Sequence, residues 1–141
     1  MAGVSIKKIM STKLVTVTLD DKLETVKEIF DNLKFHHLLV VEERKLLGVV
    51  SDRDLLKALS PNIGSARETY QDIASLNKRV HQIATRHPIV LQETATVDDA
   101  IHLFNTHSVS CLPVVDLNAR PVGIVSWRDI LKNLRINPTS T

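Results

Sequence analysis

The chain has a single cysteine, Cys111, in 141 residues, so it can form no disulfide within itself and no multi-cysteine zinc site. Aromatic residues are 4% of it, too few for a base-stacking surface that would hold single-stranded nucleic acid. Apolar runs such as Leu46–Val50 stop at about five residues, far below the ~18 of a membrane helix. Neither sign of charge dominates: 18 Lys and Arg stand against 16 Asp and Glu, a formal net charge of +2. That balance makes neither nucleic acid nor an anionic membrane the expected partner. The opening Met1-Ala2-Gly3-Val4-Ser5 has no apolar signal core, and Ala2 departs from the N-myristoylation pattern. A cytoplasmic location is the resulting expectation. No Walker-type Gly-Lys-Ser/Thr loop marks phosphoryl transfer. What remains, 43% hydrophobic and 24% charged, is the composition of a globular domain.

The chain repeats itself. Gly48-Val49-Val50-Ser51-Asp52-Arg53-Asp54-Leu55-Leu56 returns as Gly123-Ile124-Val125-Ser126-Trp127-Arg128-Asp129-Ile130-Leu131, identical at six of nine positions. Leu38–Glu42 answers to Leu112–Asp116, and Phe30 to Phe104. The spacing grows by one residue in the polar connection, Glu43–Lys45 in the first copy and Leu117–Arg120 in the second. Each copy predicts an extended segment (Val15–Thr18, Ile89–Leu91), then an amphipathic helix. The first helix spans about Lys22–Leu33, with Leu23, Val26, Ile29, Phe30 and Leu33 on one face; Asp20 or Asp21, and Thr94 or Thr96, are the candidate N-caps. A hairpin follows in each copy (His37–Val41 with Leu46–Val50, Cys111–Val115 with Val122–Val125), then a helix from Ser51 or Ser126. The fold class is α+β, two pseudo-symmetric strand-helix-strand-strand-helix repeats at 4–59 and 80–134. One such unit alone buries too little surface to be stable. The intervening 60–79 starts with a turn-rich stop, Ser60–Gly64, and predicts a polar helix over Ala66–Lys78 with Tyr70, Ile73, Ala74 and Leu76 as its apolar positions. It is either a surface spacer or a contact for a second copy or partner. The polar tail 135–141 is expected to fray.

The repeated strand-Ser-x-x-Asp-helix segment has two readings. In one, Ser51 and Asp54, like Ser126 and Asp129, form a capping box. In the other they hold a nucleotide. A serine hydroxyl and first-turn N–H groups suit a phosphate, the adjacent Arg53 or Arg128 offers a guanidinium fork, and an aspartate accepts a ribose diol. The glycines, Gly48 and Gly123, permit close backbone approach. The two readings are compatible.

The Gly-h-x-Ser-x-x-Asp signature at Gly48–Asp54 and Gly123–Asp129 resembles that of tandem cystathionine-β-synthase-type (CBS) domains. So do Leu112-Pro113-Val114-Val115-Asp116 and the opening Ile6-Lys7-Lys8-Ile9-Met10-Ser11. The likeness covers roughly Val4 to Leu134, and the linker further resembles small stand-alone bacterial pairs of the acetoin-utilisation regulator type. The resemblance implies a two-fold pair with a central cleft and two adenosyl sites. It implies that Gly123, Ser126, Arg128 and Asp129 meet Met10, Lys13, Val15 and His36, and that Gly48, Ser51, Arg53 and Asp54 meet Ala84, His87, Ile89 and Ser110. Ala84-Thr85 departs from the Met-Ser or Met-Thr that the family often has there, and Leu39 stands where the second copy has Pro113.

Among the six histidines, His36 and His37 point to opposite faces of a strand, and His102 and His107 are poorly spaced for chelation, so no metal site is expected. His87, before Pro88, reads as extended. His36 and His87 are either near a ligand phosphate or ordinary surface groups. Cys111 reads as a buried, inert thiol. The resulting expectation is a regulatory, non-enzymatic module needing no cofactor, with AMP, ADP, ATP or S-adenosylmethionine as effector. It would be a homodimer with a regulated protein as possible partner. The rival reading is a constitutive dimerisation scaffold with vestigial ligand sites.

Overall fold

The structure, a computed structural model, describes residues 3–134; the tail 135–141 and the first two residues lie outside the described residues. Contacts divide the chain into two units. Val15–Pro88 forms one, and the residues up to Leu14 join those from Ile89 onward in the other.

The Val15–Pro88 unit runs β1 (Thr16–Val17), α1 (Leu23–Asn32), β2 (His37–Glu42), β3 (Lys45–Ser51), α2 (Asp52–Ala58), α3 (Tyr70–Ala74) and β4 (Thr85–Arg86). Its sheet has the order β1-β2-β3-β4, with β1 parallel to β2 and the other pairs antiparallel. The second unit runs β5 (Leu91–Gln92), α4 (Val97–Thr106), β6 (Cys111–Val115), β7 (Pro121–Ser126) and α5 (Trp127–Asn133). Its sheet has the order β5-β6-β7, with β5 parallel to β6 and β6 antiparallel to β7. Both repeats are thus strand-helix-strand-strand-helix, the α+β pattern expected. Even the register irregularity recurs, at Val40/Val41 and at the matching Val114/Val115.

Each unit buries its own core, formed by its sheet and two helices. Leu23 and Val26 of α1 pack with Val17, Leu38, Val40, Val50 and Leu55. Val97, Ala100 and Phe104 of α4 pack with Leu112, Val114, Val125 and Ile130. The opening residues of each repeat dock in the unit that holds the other repeat's hairpin. Ile6 and Ile9 are buried among the second repeat's core residues, and Val80 among the first's. Backbone bonds repeat this exchange: Ile6 N–H donates to Ala95 and Val97 N–H to Val4, just as Val80 N–H donates to Asp21 and Leu23 N–H to Lys78, all at 2.8–2.9 Å.

Several local expectations change. Thr96 caps α4 in a capping box with Asp99. At the matching place α1 has Lys22, with no side-chain cap, and Asp21 instead accepts from Thr18 N–H at 2.7 Å. The Lys78 carbonyl takes the first amide of α1, so a cap from Asp20 or Asp21 is not used. Leu33 lies past the helix end in extended backbone and is 45% exposed. The linker helix is short because Thr69 and Asp72 form a capping box that starts it at Tyr70; Ser75–Asn77 then tightens to a 3₁₀ turn. Tyr70 is therefore 92% exposed instead of packed. Asp72 also accepts from the Ser60 hydroxyl, and that bond, followed by the Thr69 amide, holds its carboxyl below the ordinary range.

The first hairpin closes through Glu43 and Arg44, at φ 50° and 69°, between the paired Glu42 and Lys45. Two left-handed residues in a two-residue turn favour Asn-Gly, and neither Glu nor Arg is suited to that region. Glu43→Asn with Arg44→Gly is expected to stabilise the protein by about 1 kcal/mol. Urea denaturation reads it, and an unchanged midpoint would show that the turn is not strained.

Candidate functional site

The two repeated loops have the same internal geometry. In the first, Ser51 N–H donates to Asp54 Oδ2 at 2.9 Å and Asp54 N–H donates to Ser51 Oγ at 3.1 Å. In the second, Ser126 N–H donates to Asp129 Oδ2 at 2.8 Å and Asp129 N–H to Ser126 Oγ at 3.4 Å; the Ser126 hydroxyl also donates to Asp129 Oδ2 at 3.1 Å. Both are capping boxes at the entrances to α2 and α5. They fix the carboxylate and hydroxyl at half-buried positions beside an exposed arginine, Arg53 or Arg128. A carboxylate can accept several hydrogen bonds, so a box does not exhaust the aspartate.

The opening segments lie directly against both glycines. A Cβ on Gly48 would stand 2.6 Å from the Thr85 carbonyl oxygen, and one on Gly123 would stand 2.4 Å from Met10 Sδ. Strand β4 pairs there with β3, placing Arg86 opposite Gly48. Ser11 bridges to Ile124 at the matching place in the second unit, with bonds of 2.9 and 3.0 Å.

The units divide the expected site residues. Val15, His36, Gly48, Ser51, Arg53, Asp54, Ala84 and His87 belong to one; Met10, Lys13, Ile89, Ser110, Gly123, Ser126, Arg128 and Asp129 belong to the other. His36 Nδ1 lies 3.0 Å from Asp52 Oδ2, and Asp52 N–H donates to the His36 carbonyl at 3.0 Å, tying His36 to the Ser51 loop. Burial holds the neighbouring His37 imidazole below its ordinary value, with the Asp52 carboxylate opposing that shift. His87 is not extended: its φ is +53°, a strained conformation ahead of proline, with its N–H on the Leu47 carbonyl at 3.4 Å. Its ring is exposed.

Where the first loop has Asp52, the second has Trp127, whose indole packs on Phe104 at a centroid distance of 4.7 Å. It is still 41% exposed. The sequence pairs Phe104 with Phe30 but does not reveal this contact. Arg86, opposite Gly48, is not signalled by the repeat, since the matching Thr12 is a different residue type. Cys111 is buried, and burial pushes its thiol up to about 12, which leaves it without nucleophilic thiolate. Among the described residues no group of three or more His, Cys, Asp and Glu could hold a metal ion. No helix among them is long and apolar enough to cross a membrane.

Two sheets with exchanged opening segments, each ending in a Ser/Asp-capped helix, define a tandem-repeat α+β module. The CBS domain family model matches it twice, at residues 6–61 and 80–136, and the chain belongs to that family. It is 32% identical over 130 residues to a CBS domain-containing protein of Dictyostelium discoideum, covering 91% of this chain and 89% of that one. It is 28% identical over 120 residues to the inosine-5′-monophosphate dehydrogenase of Methanocaldococcus jannaschii, covering 84% of this chain but 21% of the enzyme. Among solved structures it is similar to the CBS domain pair of protein MJ0100 in complex with 5′-methylthioadenosine and S-adenosyl-L-methionine. There the TM-score is 0.74 and the identity 28%, over 92% of this chain and 98% of that one.

Proposed function

We propose that this chain is a regulatory module that binds an adenosine-containing ligand (AMP, ADP, ATP or S-adenosylmethionine) and catalyses no reaction. The observation that carries the reading is the recurrence of one Gly–Ser–Arg–Asp set in one geometry at two places. Two equal loops, each with its own Ser/Asp set, suit two copies of one ligand. The MJ0100 pair, which holds two adenosyl compounds, supports the choice of ligand. Serine and arginine take the phosphate or its substitute, and aspartate takes the ribose. The test is thermal stabilisation of the full chain by each of the four ligands, since a ligand that binds only the folded state raises its melting temperature.

One observation favours the rival scaffold reading: both serines and both aspartates are already engaged as caps. A dimer serves either reading. Of the residues the sequence offers for an apolar outer helix face (Leu23, Ile29, Leu33, Leu55, Leu59, Leu103 and Leu131), Leu23 and Leu55 are buried and Ile29, Leu59 and Leu103 are half-buried. Leu33 at 45% and Leu131 of α5 at 61% are exposed, as are Leu56 of α2 (the match of Leu131) at 73%, Leu134 at 50% and, in the turn between β6 and β7, Leu117 at 92%. Covering them with a second copy removes apolar surface from water. Light scattering is expected to return a dimer mass, and a monomer mass at micromolar and higher concentration would count against it.

The lone tryptophan assigns the loops. Ligand entering beside Ser126 changes the charge and solvent around the exposed part of the Trp127 indole, and its fluorescence changes with them. The signal is expected to survive in Asp54→Ala and to vanish in Asp129→Ala. The reverse pattern would exchange the loops. No signal, in protein that binds by calorimetry, would leave Trp127 as a packing partner of Phe104 alone.

A further inference from the structure

We propose that Met10 is an oxidation site whose sulfoxide unfastens the opening segment from β7, the strand that leads into the Ser126 loop. Met10 and Met1 are the only methionines of the chain. The Met10 thioether lies over Gly123: Sδ, Cγ and Cε stand 2.4, 2.8 and 3.1 Å from where a Cβ on that glycine would be. The next residue, Ser11, makes the two backbone bonds to Ile124. The residue is half-buried and packed against the core, neither sealed off nor free in solvent.

In the reaction the sulfur attacks one oxygen of hydrogen peroxide, the S–O bond forms, the O–O bond breaks and water leaves. Sulfur gives up two electrons and peroxide takes them. The product replaces a flexible apolar group by a polar, bulkier one against a surface that has no side chain to yield. The other unit has no such device. Ala84 stands at the place matching Met10, and Gly48 is approached by a backbone carbonyl. Cys111 is buried and its thiol is held protonated, so it does not compete for peroxide.

The test uses the full chain without ligand, so its outcome is independent of the adenosyl reading. After peroxide treatment, peptide mass mapping is expected to place one added oxygen on Met10. Hydrogen exchange at the Ile124 amide is expected to quicken by about tenfold or more, while that at Val49, its match on β3, stays unchanged. Methionine sulfoxide reductase restores the slow exchange. Met10→Leu removes the response, and Met10→Ala does the same if leucine does not fit, because alanine already stands at the matching position. A Met10 that resists a dose converting free methionine would overturn the proposal. So would a sulfoxide that leaves Ile124 exchange unaltered, or a peroxide response that persists in Met10→Ala.

Discussion

Replacing both Asp54 and Asp129 by alanine is expected to abolish adenosyl binding measurable by calorimetry, and each single replacement to weaken one site by at least about tenfold. Hydrogen bonds to an ionised carboxylate contribute roughly 1.5–3 kcal/mol, and a ribose diol makes two of them. The same aspartates accept from the Ser51 and Ser126 amides at 2.9 and 2.8 Å, so alanine also removes half of each capping box. Loss of a cap costs about 0.5–2 kcal/mol of stability. Asparagine separates the two roles. Its side-chain oxygen still accepts from the serine amide, but it brings no charge to the ribose. Asp54→Asn and Asp129→Asn are therefore expected to restore most of the melting temperature and little of the affinity. If the double alanine variant still titrates like the wild type, the aspartates are caps alone and the ribose is held elsewhere. If asparagine restores affinity as fully as stability, charge is not what the ligand reads.

The repeat itself was legible because it is written in apolar spacing and in a nine-residue signature, and both belong to one short stretch of chain. The hairpins, α1, α4 and the helix starts at Ser51 and Ser126 followed from it. What escaped depends on residues far apart in sequence. Lys22 opens α1 without a side-chain cap because Lys78, from the far end of the linker, supplies the missing acceptor. A cap search within the first repeat finds Asp20 and Asp21, which are nearby but otherwise engaged or out of place. The linker helix was expected too long for the opposite reason: Thr69-x-x-Asp72 is a start signal lying within the span, and apolar spacing across Ala66–Lys78 overrode it. Proline after His87 predicts extended backbone there, yet the chain turns to leave β4, and tertiary context imposes φ +53°. At the candidate site the serines and aspartates were legible as paired capping or binding groups. The Asp52–His36 tie and the Trp127–Phe104 contact were not, since each joins a loop residue to a side chain from another element.

Gly48→Ala is expected to destabilise the protein more than Gly123→Ala, although the two glycines occupy the same place in the repeat. At Gly48 the new methyl would meet only backbone: the Thr85 oxygen at 2.6 Å, its carbonyl carbon at 3.4 Å and the Arg86 Cα at 3.7 Å. None of these can turn aside. Relief requires β4 to move off β3, which loosens the Gly48–Arg86 pairing and strains the bond from His87 N–H to the Leu47 carbonyl. A loss near the upper end of the roughly 1–3 kcal/mol typical of overpacking is expected. At Gly123 the methyl would meet the side chain of Met10, whose successive single bonds let it swing away at lower cost. The order is read from urea denaturation of the two variants. The cause is read from a double-mutant cycle. Met10→Ala should relieve Gly123→Ala, with a coupling of about 0.5–3 kcal/mol in that pair. Thr85→Ala should bring no relief to Gly48→Ala, because the obstructing atom is a carbonyl that every residue carries. Equal losses at the two glycines, or relief by Thr85→Ala, would mean that the two openings close on their hairpins by the same side-chain packing. The asymmetry between carbonyl and thioether would then carry no weight in the stability of either unit.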